Sequence, residues 1–178
     1  AYFSRLGVTR ENFYAELESQ QGGRNFAFRV SARGNRASYT VIEDDCTCSV
    51  DEQGNVYWFD GANKEVNVDK AGTSAAQNKT KQIKQNVYGY VMIPKANEVV
   101  SITAGEYQGA YMESVRVASA EAGVGTYDYV FDGDNLAFII MQHYGVKNTI
   151  TTLYANPSDK VIGFPDWYSE NIGASKAS

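Results

Sequence analysis

The chain has 178 residues, with 16 Lys and Arg against 21 Asp and Glu, which gives a formal net charge of -5 at pH 7. This length suits one domain over residues 1–178, and an apolar content of 43% is enough for a globular core. The acidic balance argues against binding to nucleic-acid phosphates, which requires cations. No apolar run reaches the length of a membrane-spanning helix.

The first predicted element is a short helix over residues 9–21. Thr9 can cap its first turn, and Phe13 and Leu17 lie four residues apart, which places both on one helical face. Gly22 and Gly23 follow directly and are typical of a helix end.

From residue 25 onward, short runs of Val, Ile, Tyr and Thr between glycine-containing turns predict β-strands. The polar stretch 66–81 between them predicts a long loop or a frayed strand. About eight to ten strands at this spacing favour a sandwich or an up-and-down barrel. The predicted strands cover residues 26–32, 37–42, 47–50, 55–59, 83–93, 98–103, 110–118, 127–131, 136–143 and 149–154.

Two further features of the sequence are informative, one at its C-terminal end and one in the predicted loop. Ser158 and Asp159 can cap a short helical turn, and Pro165 can start a second turn that ends at Gly173. Asn78 begins the glycosylation sequon Asn-Lys-Thr inside the predicted loop, which favours a secreted protein.

Several segments resemble the lipocalin family. Residues 131–140, Phe-Asp-Gly-Asp-Asn-Leu-Ala-Phe-Ile-Ile, are similar to the family's Thr-Asp-Tyr and Asp-Asn-Tyr-Ala motif, and residues 153–157 resemble the end of its last strand. Residues 26–28 resemble its first strand, although the Trp of that strand and the Arg that stacks on it are absent here. The resemblance implies an all-β, eight-stranded up-and-down antiparallel barrel with short N-terminal and C-terminal helices.

A barrel of this size holds one small ligand, so the resemblance implies a carrier of a hydrophobic molecule. The 13 Tyr residues suit a lined cavity, because each ring is apolar and its hydroxyl can hold a polar group. We therefore expect a carotenoid, retinoid or bilin as the bound molecule, with no cofactor required. The expected ligand-binding residues are Tyr57, Phe59, Tyr88, Tyr90, Tyr107, Tyr129, Ile139, Met141 and His143.

The chain shows little sign of catalytic or metal chemistry. His143 is the only histidine, and Cys46 and Cys48 are the only thiols, so the usual sets of zinc ligands cannot form. No phosphate-binding glycine motif occurs. We expect a binding protein that is not an enzyme and has no metal.

Two alternatives remain open on the sequence. The first is a structural β-sandwich or barrel whose tyrosines face partners and which takes up no ligand. The second is a lipid isomerase that uses Cys46 or Cys48, although the three acids before Cys46 would raise the thiol pKa and oppose it. A homo-oligomer through the apolar outer face of residues 136–140 is compatible with ligand binding.

Overall fold

The computed structural model describes residues 6–91, 94–119 and 123–168. In this part of the chain the fold is all-β, with eleven antiparallel strands and few helices. A 3-10 turn covers Ala96–Glu98. The elements are β1 (Asn12–Gln21), β2 (Arg24–Arg33), β3 (Arg36–Val41), β4 (Cys46–Val50), β5 (Val56–Asp60), β6 (Glu65–Asp69), α1 (Ser74–Tyr90), β7 (Val99–Tyr107), β8 (Ala110–Ser119), β9 (Gly123–Asp132), β10 (Asn135–His143), β11 (Val146–Tyr154) and α2 (Asp159–Ile162).

The strands hydrogen-bond in the order β6-β5-β4-β3-β2-β1-β11-β10-β9-β8-β7. Strands β6 and β7 stand at the two ends of this order, and no pairing within the described residues joins them. The all-β prediction is therefore confirmed, whereas the closed eight-stranded barrel is not. The described helices include none with both the length and the apolar character needed to span a bilayer.

The N-terminal helix predicted over residues 9–21 is wrong, because this segment forms β1. Phe13 and Leu17 share one face of a strand as well as one face of a helix, since a spacing of four suits both periods. Burial of Ala15 and Ser19 as well completes an alternating pattern along the strand. The two glycines Gly22 and Gly23 have φ values of 55° and 79° and form a two-residue hairpin turn instead of a helix end.

The strand predicted over 83–93 is also wrong. In the stretch 66–81, predicted as a long loop or a frayed strand, residues 66–69 do belong to strand β6, but residues 74–81 are helical. Helix α1 occupies half of the range 66–81 and residues 83–90 of the range 83–93, and residues 92 and 93 lie outside the described residues. The Thr73 hydroxyl accepts a hydrogen bond from the Ala76 amide at 3.2 Å and caps the helix. Ala76, Ile83 and Val87 recur at helical spacing and are its buried residues. Asn78 of the sequon therefore lies on an exposed helix position and not in a loop.

The described residues divide into two compact units. The first unit comprises residues 6–14, 28–91 and 154–168, and the second comprises 15–27, 94–119 and 123–153. The prediction that the chain folds as one domain stays a prediction.

In the first unit, α1 packs on one face of the strands β2 to β5. The ring centroids of Phe28 on β2 and Tyr90 at the end of α1 lie 4.4 Å apart. Val30, Cys48 and Val56 lie on the same face at alternating positions and are buried. This apolar face of the sheet, together with α1, forms the core of the first unit.

In the second unit, β7 to β11 form successive antiparallel hairpins, and their predicted strands are confirmed. The turns Gln108-Gly109 and Tyr144-Gly145 have positive φ at both residues, as the hairpin turn of type I′ requires. The core of this unit contains buried apolar and aromatic side chains from four strands. They are Val115, Tyr127, Tyr129, Phe131, Ile139, Met141 and Ile150.

The C-terminal part of the first unit begins with α2, whose N-cap is Ser158 as predicted. A helical turn follows at residues 166–168, after Pro165. The remainder of the second predicted turn, to Gly173, lies outside the described residues.

Candidate functional site

A cavity of about 420 Å³ lies in the first unit, between the strands β2 to β5 and the C-terminal segment 160–167. It is on the opposite side of the strands from α1, because its floor residues alternate with the buried apolar ones. Its volume falls within the range of small-molecule sites in proteins. We call it the hydroxyl cavity, because Ser31, Ser38, Thr40 and Thr47 form its floor.

Strand register creates this floor. Ser31 is paired with Ser38, and Ser38 with Ser49, while Thr40 is paired with Thr47 in the next row. The side-chain oxygens lie 2.8 Å apart in the pair Ser38–Ser49 and 2.9 Å apart in the pair Thr40–Thr47. Each hydroxyl can donate one hydrogen bond and accept two, so these pairs keep capacity to bind a ligand oxygen.

The C-terminal segment 160–167 lies over the cavity, and we call it the cover. It is tied to the strands by ion pairs of the residue that precedes it. Asp159 of α2 contacts the guanidinium groups of Arg33 and Arg36, the latter at 2.7 Å. Arg33 also donates a hydrogen bond to the carbonyl oxygen of Pro157 at 2.8 Å. Hydrogen bonds from Arg33 and Arg36, together with their positive charge, lower the pKa of Asp159. These contacts hold the cover, which carries Phe164 and Trp167, against the strands.

The wall itself is aromatic. Phe59 of β5 is fully buried, and its ring centroid lies 5.4 Å from that of Phe164 and 6.0 Å from that of Trp167. The ring of Tyr57 stacks beside that of Phe59, and its centroid lies 4.5 Å from the ring centroid of Phe164. The cavity therefore combines hydroxyl groups on one side with large apolar surfaces on the other, which suits an amphipathic molecule.

Charged side chains line the cavity as well. Arg29, Lys64 and Lys160 are cationic, and Asp45 and Asp166 are anionic. Lys64 lies in the turn before β6, and its ammonium group is 5.3 Å from the centre of the Trp167 ring. This distance is within the range of a cation–π interaction.

The structure places one of the nine predicted ligand-binding residues in this site and a second one beside it. Phe59 lines the hydroxyl cavity, and Tyr57 lines a neighbouring cavity of about 280 Å³ in the same unit. Tyr88 and Tyr90 belong to α1, so the prediction that they lie on a strand is wrong. Tyr90 contacts Phe28 on the opposite face of the sheet.

The other five predicted residues belong to the second unit. Tyr129, Ile139 and Met141 are buried in its core, and Tyr107 packs edge-on against Phe138. His143 lines a separate recess of about 390 Å³ with Arg116. Its Nε2 is shielded from solvent and has no hydrogen-bond partner in the described residues, and burial lowers its pKa.

The two thiols lie on the α1 side of the sheet and outside the hydroxyl cavity. Burial raises the pKa of Cys48 to about 11, even though a hydrogen bond from Tyr39 favours the thiolate. Burial and the carboxylates of Asp60, Asp44 and Asp45 raise the pKa of Cys46. Both residues are free thiols. Within the described ranges no group of three or more His, Cys, Asp or Glu side chains could hold a metal ion.

Sequence reasoning missed the floor, Arg29, Lys160 and Trp167. A signal for the floor was present, because Ser31, Ser38, Thr40, Thr47 and Ser49 alternate with apolar residues on adjacent strands. Such hydroxyls are also typical of a solvated sheet face, so the pattern alone does not indicate a cavity. The cover could not be placed, since its contacts join residues distant in sequence.

No family model matches the chain, and no curated protein matches it, so the resemblance to lipocalins is not confirmed. An uncharacterized conserved protein from Thermus thermophilus is similar in structure, with a TM-score of 0.47, 6% identity and coverage of 92% of each chain. MucB in complex with MucA(peri) gives a TM-score of 0.35 at 12% identity, covering 93% of this chain and 59% of that one. A DUF1329 family protein from Desulfovibrio piger gives 0.35 at 8% identity, covering 91% and 93%.

Proposed function

We propose that the protein binds one small, largely apolar molecule in the hydroxyl cavity and carries it without chemical change. The observation that carries this proposal is the pairing of an aromatic wall, built from Phe59, Phe164 and Trp167, with a floor of hydroxyl groups. An apolar body can pack on the rings while a polar group bonds to the floor.

A role without catalysis is supported by the chemistry around the cavity. The floor hydroxyls of Ser38 and Thr40 are hydrogen-bonded to those of Ser49 and Thr47, and the described residues that line the cavity include no histidine. The alternative of a thiol-dependent lipid isomerase is disfavoured, because both thiols have raised pKa values and lie on the other face of the sheet.

The hydroxyl floor of the cavity favours a ligand that carries oxygen-bearing end groups. A carotenoid, retinoid or bilin as the ligand stays a prediction. Secretion and self-association through residues 136–140 also stay predictions. The rival, a structural protein with no ligand, predicts that no probe enters the cavity.

Binding can be tested with the neutral fluorescent probe N-phenyl-1-naphthylamine. The probe should show saturable binding and, in a Trp58→Phe variant, energy transfer from Trp167 in the cavity wall. Thr40→Phe fills the floor and should weaken binding by about tenfold or more. Thr103→Phe, the same change at an exposed strand position in the second unit, is the matched control and should bind as the unmodified protein does.

Circular dichroism shows whether each variant is folded. Absence of saturable binding to the folded protein, or equal binding by both phenylalanine variants, would contradict the carrier proposal.

A further inference from the structure

We propose that the ligand of the hydroxyl cavity is an anionic amphiphile, an apolar body with one carboxylate, sulfonate or phosphate group that Arg29 and Lys160 bind. This inference rests on the proposed carrier function and names the chemical class of its ligand.

The first argument is the local charge. The chain as a whole carries a net charge of -5, yet three cations and two carboxylates line the cavity. One of the two carboxylates, that of Asp45, is packed against the turn at Gly61, where an added Cβ would overlap it. The lining therefore has one more cation than carboxylates in a protein of net negative charge, so an anion meets less repulsion there than over the rest of the surface.

The second argument is that none of these three cations forms an ion pair within the described part of the chain. Lys64 already lies over the Trp167 ring, which leaves Arg29 and Lys160 for a ligand. Arg29, Ser31 and Arg33 alternate along β2 and so share one face of the strand. Arg33 is ion-paired with Asp159, whereas Arg29 and Lys160 form no ion pair within the described part of the chain. The ion-paired arginine holds the cover in place, and the unpaired one is left for a ligand.

The third argument is the geometry of the groups around these cations. Arg29 is paired across the strands with Thr40, whose hydroxyl belongs to the floor. The side chains that carry the guanidinium and this hydroxyl therefore extend from neighbouring backbone positions. Lys160 approaches from the cover on the opposite side. A guanidinium can bind two oxygens of an anion at once, and an ammonium adds a second charge-assisted hydrogen bond.

The test compares two probes with similar aromatic bodies. 1-Anilinonaphthalene-8-sulfonate is anionic, and N-phenyl-1-naphthylamine is neutral. We expect the anionic probe to bind about tenfold more tightly at low ionic strength and to lose most of this advantage at high salt. Lys160→Gln and Arg29→Gln should each weaken the anionic probe about three- to tenfold and leave the neutral probe within about twofold.

Two controls make the comparison specific. Lys160→Arg retains the charge and should retain the affinity for the anionic probe. Lys81→Gln removes an exposed lysine from α1, on the other side of the sheet, and should change neither probe.

The outcomes separate this inference from the carrier proposal. If both probes bind equally, or if Lys160→Gln and Arg29→Gln leave the anionic probe unchanged, the anionic class is wrong and the carrier proposal stands. If neither probe binds to the folded protein, both fail. If Lys81→Gln weakens the anionic probe as much as Lys160→Gln does, the attraction belongs to the overall charge and the assignment to this cavity is wrong.

Discussion

The ring of Phe59 lies 5.1 Å from the ring of Tyr168, centroid to centroid, and so joins strand β5 to the C-terminal segment. Phe59 is fully buried and also contacts Phe164 and Trp167. The same side chain is therefore both fully buried and part of the wall of the cavity, so the stability of the protein is linked to the shape of its candidate site.

Replacement of Phe59 by alanine should lower the free energy of unfolding by about 3–5 kcal/mol, because it removes a buried ring and leaves a void. Urea titration followed by circular dichroism measures this change. Val68→Ala, at a position that is 45% exposed, is the control and should change the free energy by less than about 0.5 kcal/mol. A similar loss in both variants would mean that Phe59 does not anchor the segment.

Replacement of Asp159 by asparagine should loosen the cover, since it removes the partner of both Arg33 and Arg36. Amide hydrogen exchange in residues 158–168 should become faster while exchange in β2 to β5 changes little. Binding of N-phenyl-1-naphthylamine should weaken as well. Asp69→Asn, which breaks the exposed pair with Lys79, is the matched control.

The same ion pair predicts a pH dependence. The pKa of Asp159 is lower in the folded protein than its ordinary value, so its contribution is present above the unfolded pKa of about 3.9 and is lost as the pH falls through the folded value. Protection of the backbone amides of residues 158–168 against hydrogen exchange should therefore decline below about pH 4. Unchanged exchange down to pH 2 would show that the ion pair does not hold the cover.

The thiols should react slowly with Ellman's reagent at neutral pH, because the thiolate is the reactive form. Cys48, with a pKa of about 11, should react only after unfolding, and Cys46 should react more slowly than free cysteine. The Cys46→Ser and Cys48→Ser variants assign each rate to its residue. Rapid modification of Cys48 in the folded protein would restore the thiol-dependent alternative.

Acid should destabilise the second unit through His143. Burial lowers its pKa, so the unfolded chain binds more protons and stability falls as the pH drops below the unfolded value of about 6.5. Urea midpoints between pH 7 and pH 5 measure this slope. The His143→Gln variant should show a flatter profile, and an identical slope in both proteins would assign the effect to other groups.

The sequence alone determined the strands whose ends are set by local turn chemistry. Gly34, Gly109 and Gly145 have positive φ in hairpin turns, and the strands beside them lie close to their predicted positions. Glycine tolerates this backbone conformation, so its position in the chain fixes where a strand ends regardless of the rest of the fold. The N-cap position of Ser158 was also predictable from local sequence, because serine is favoured there, although its side chain makes no capping hydrogen bond.

Only the tertiary structure decided the remaining features. Phe13 and Leu17 fit a helix and a strand equally, and pairing with neighbouring strands selected β1. The cavity depends on the register that aligns Ser38 with Ser49 and on the contact between Arg33 and Asp159, residues far apart in sequence. The spacing of residues along the chain does not predict such contacts, because they form only when packing brings distant segments together.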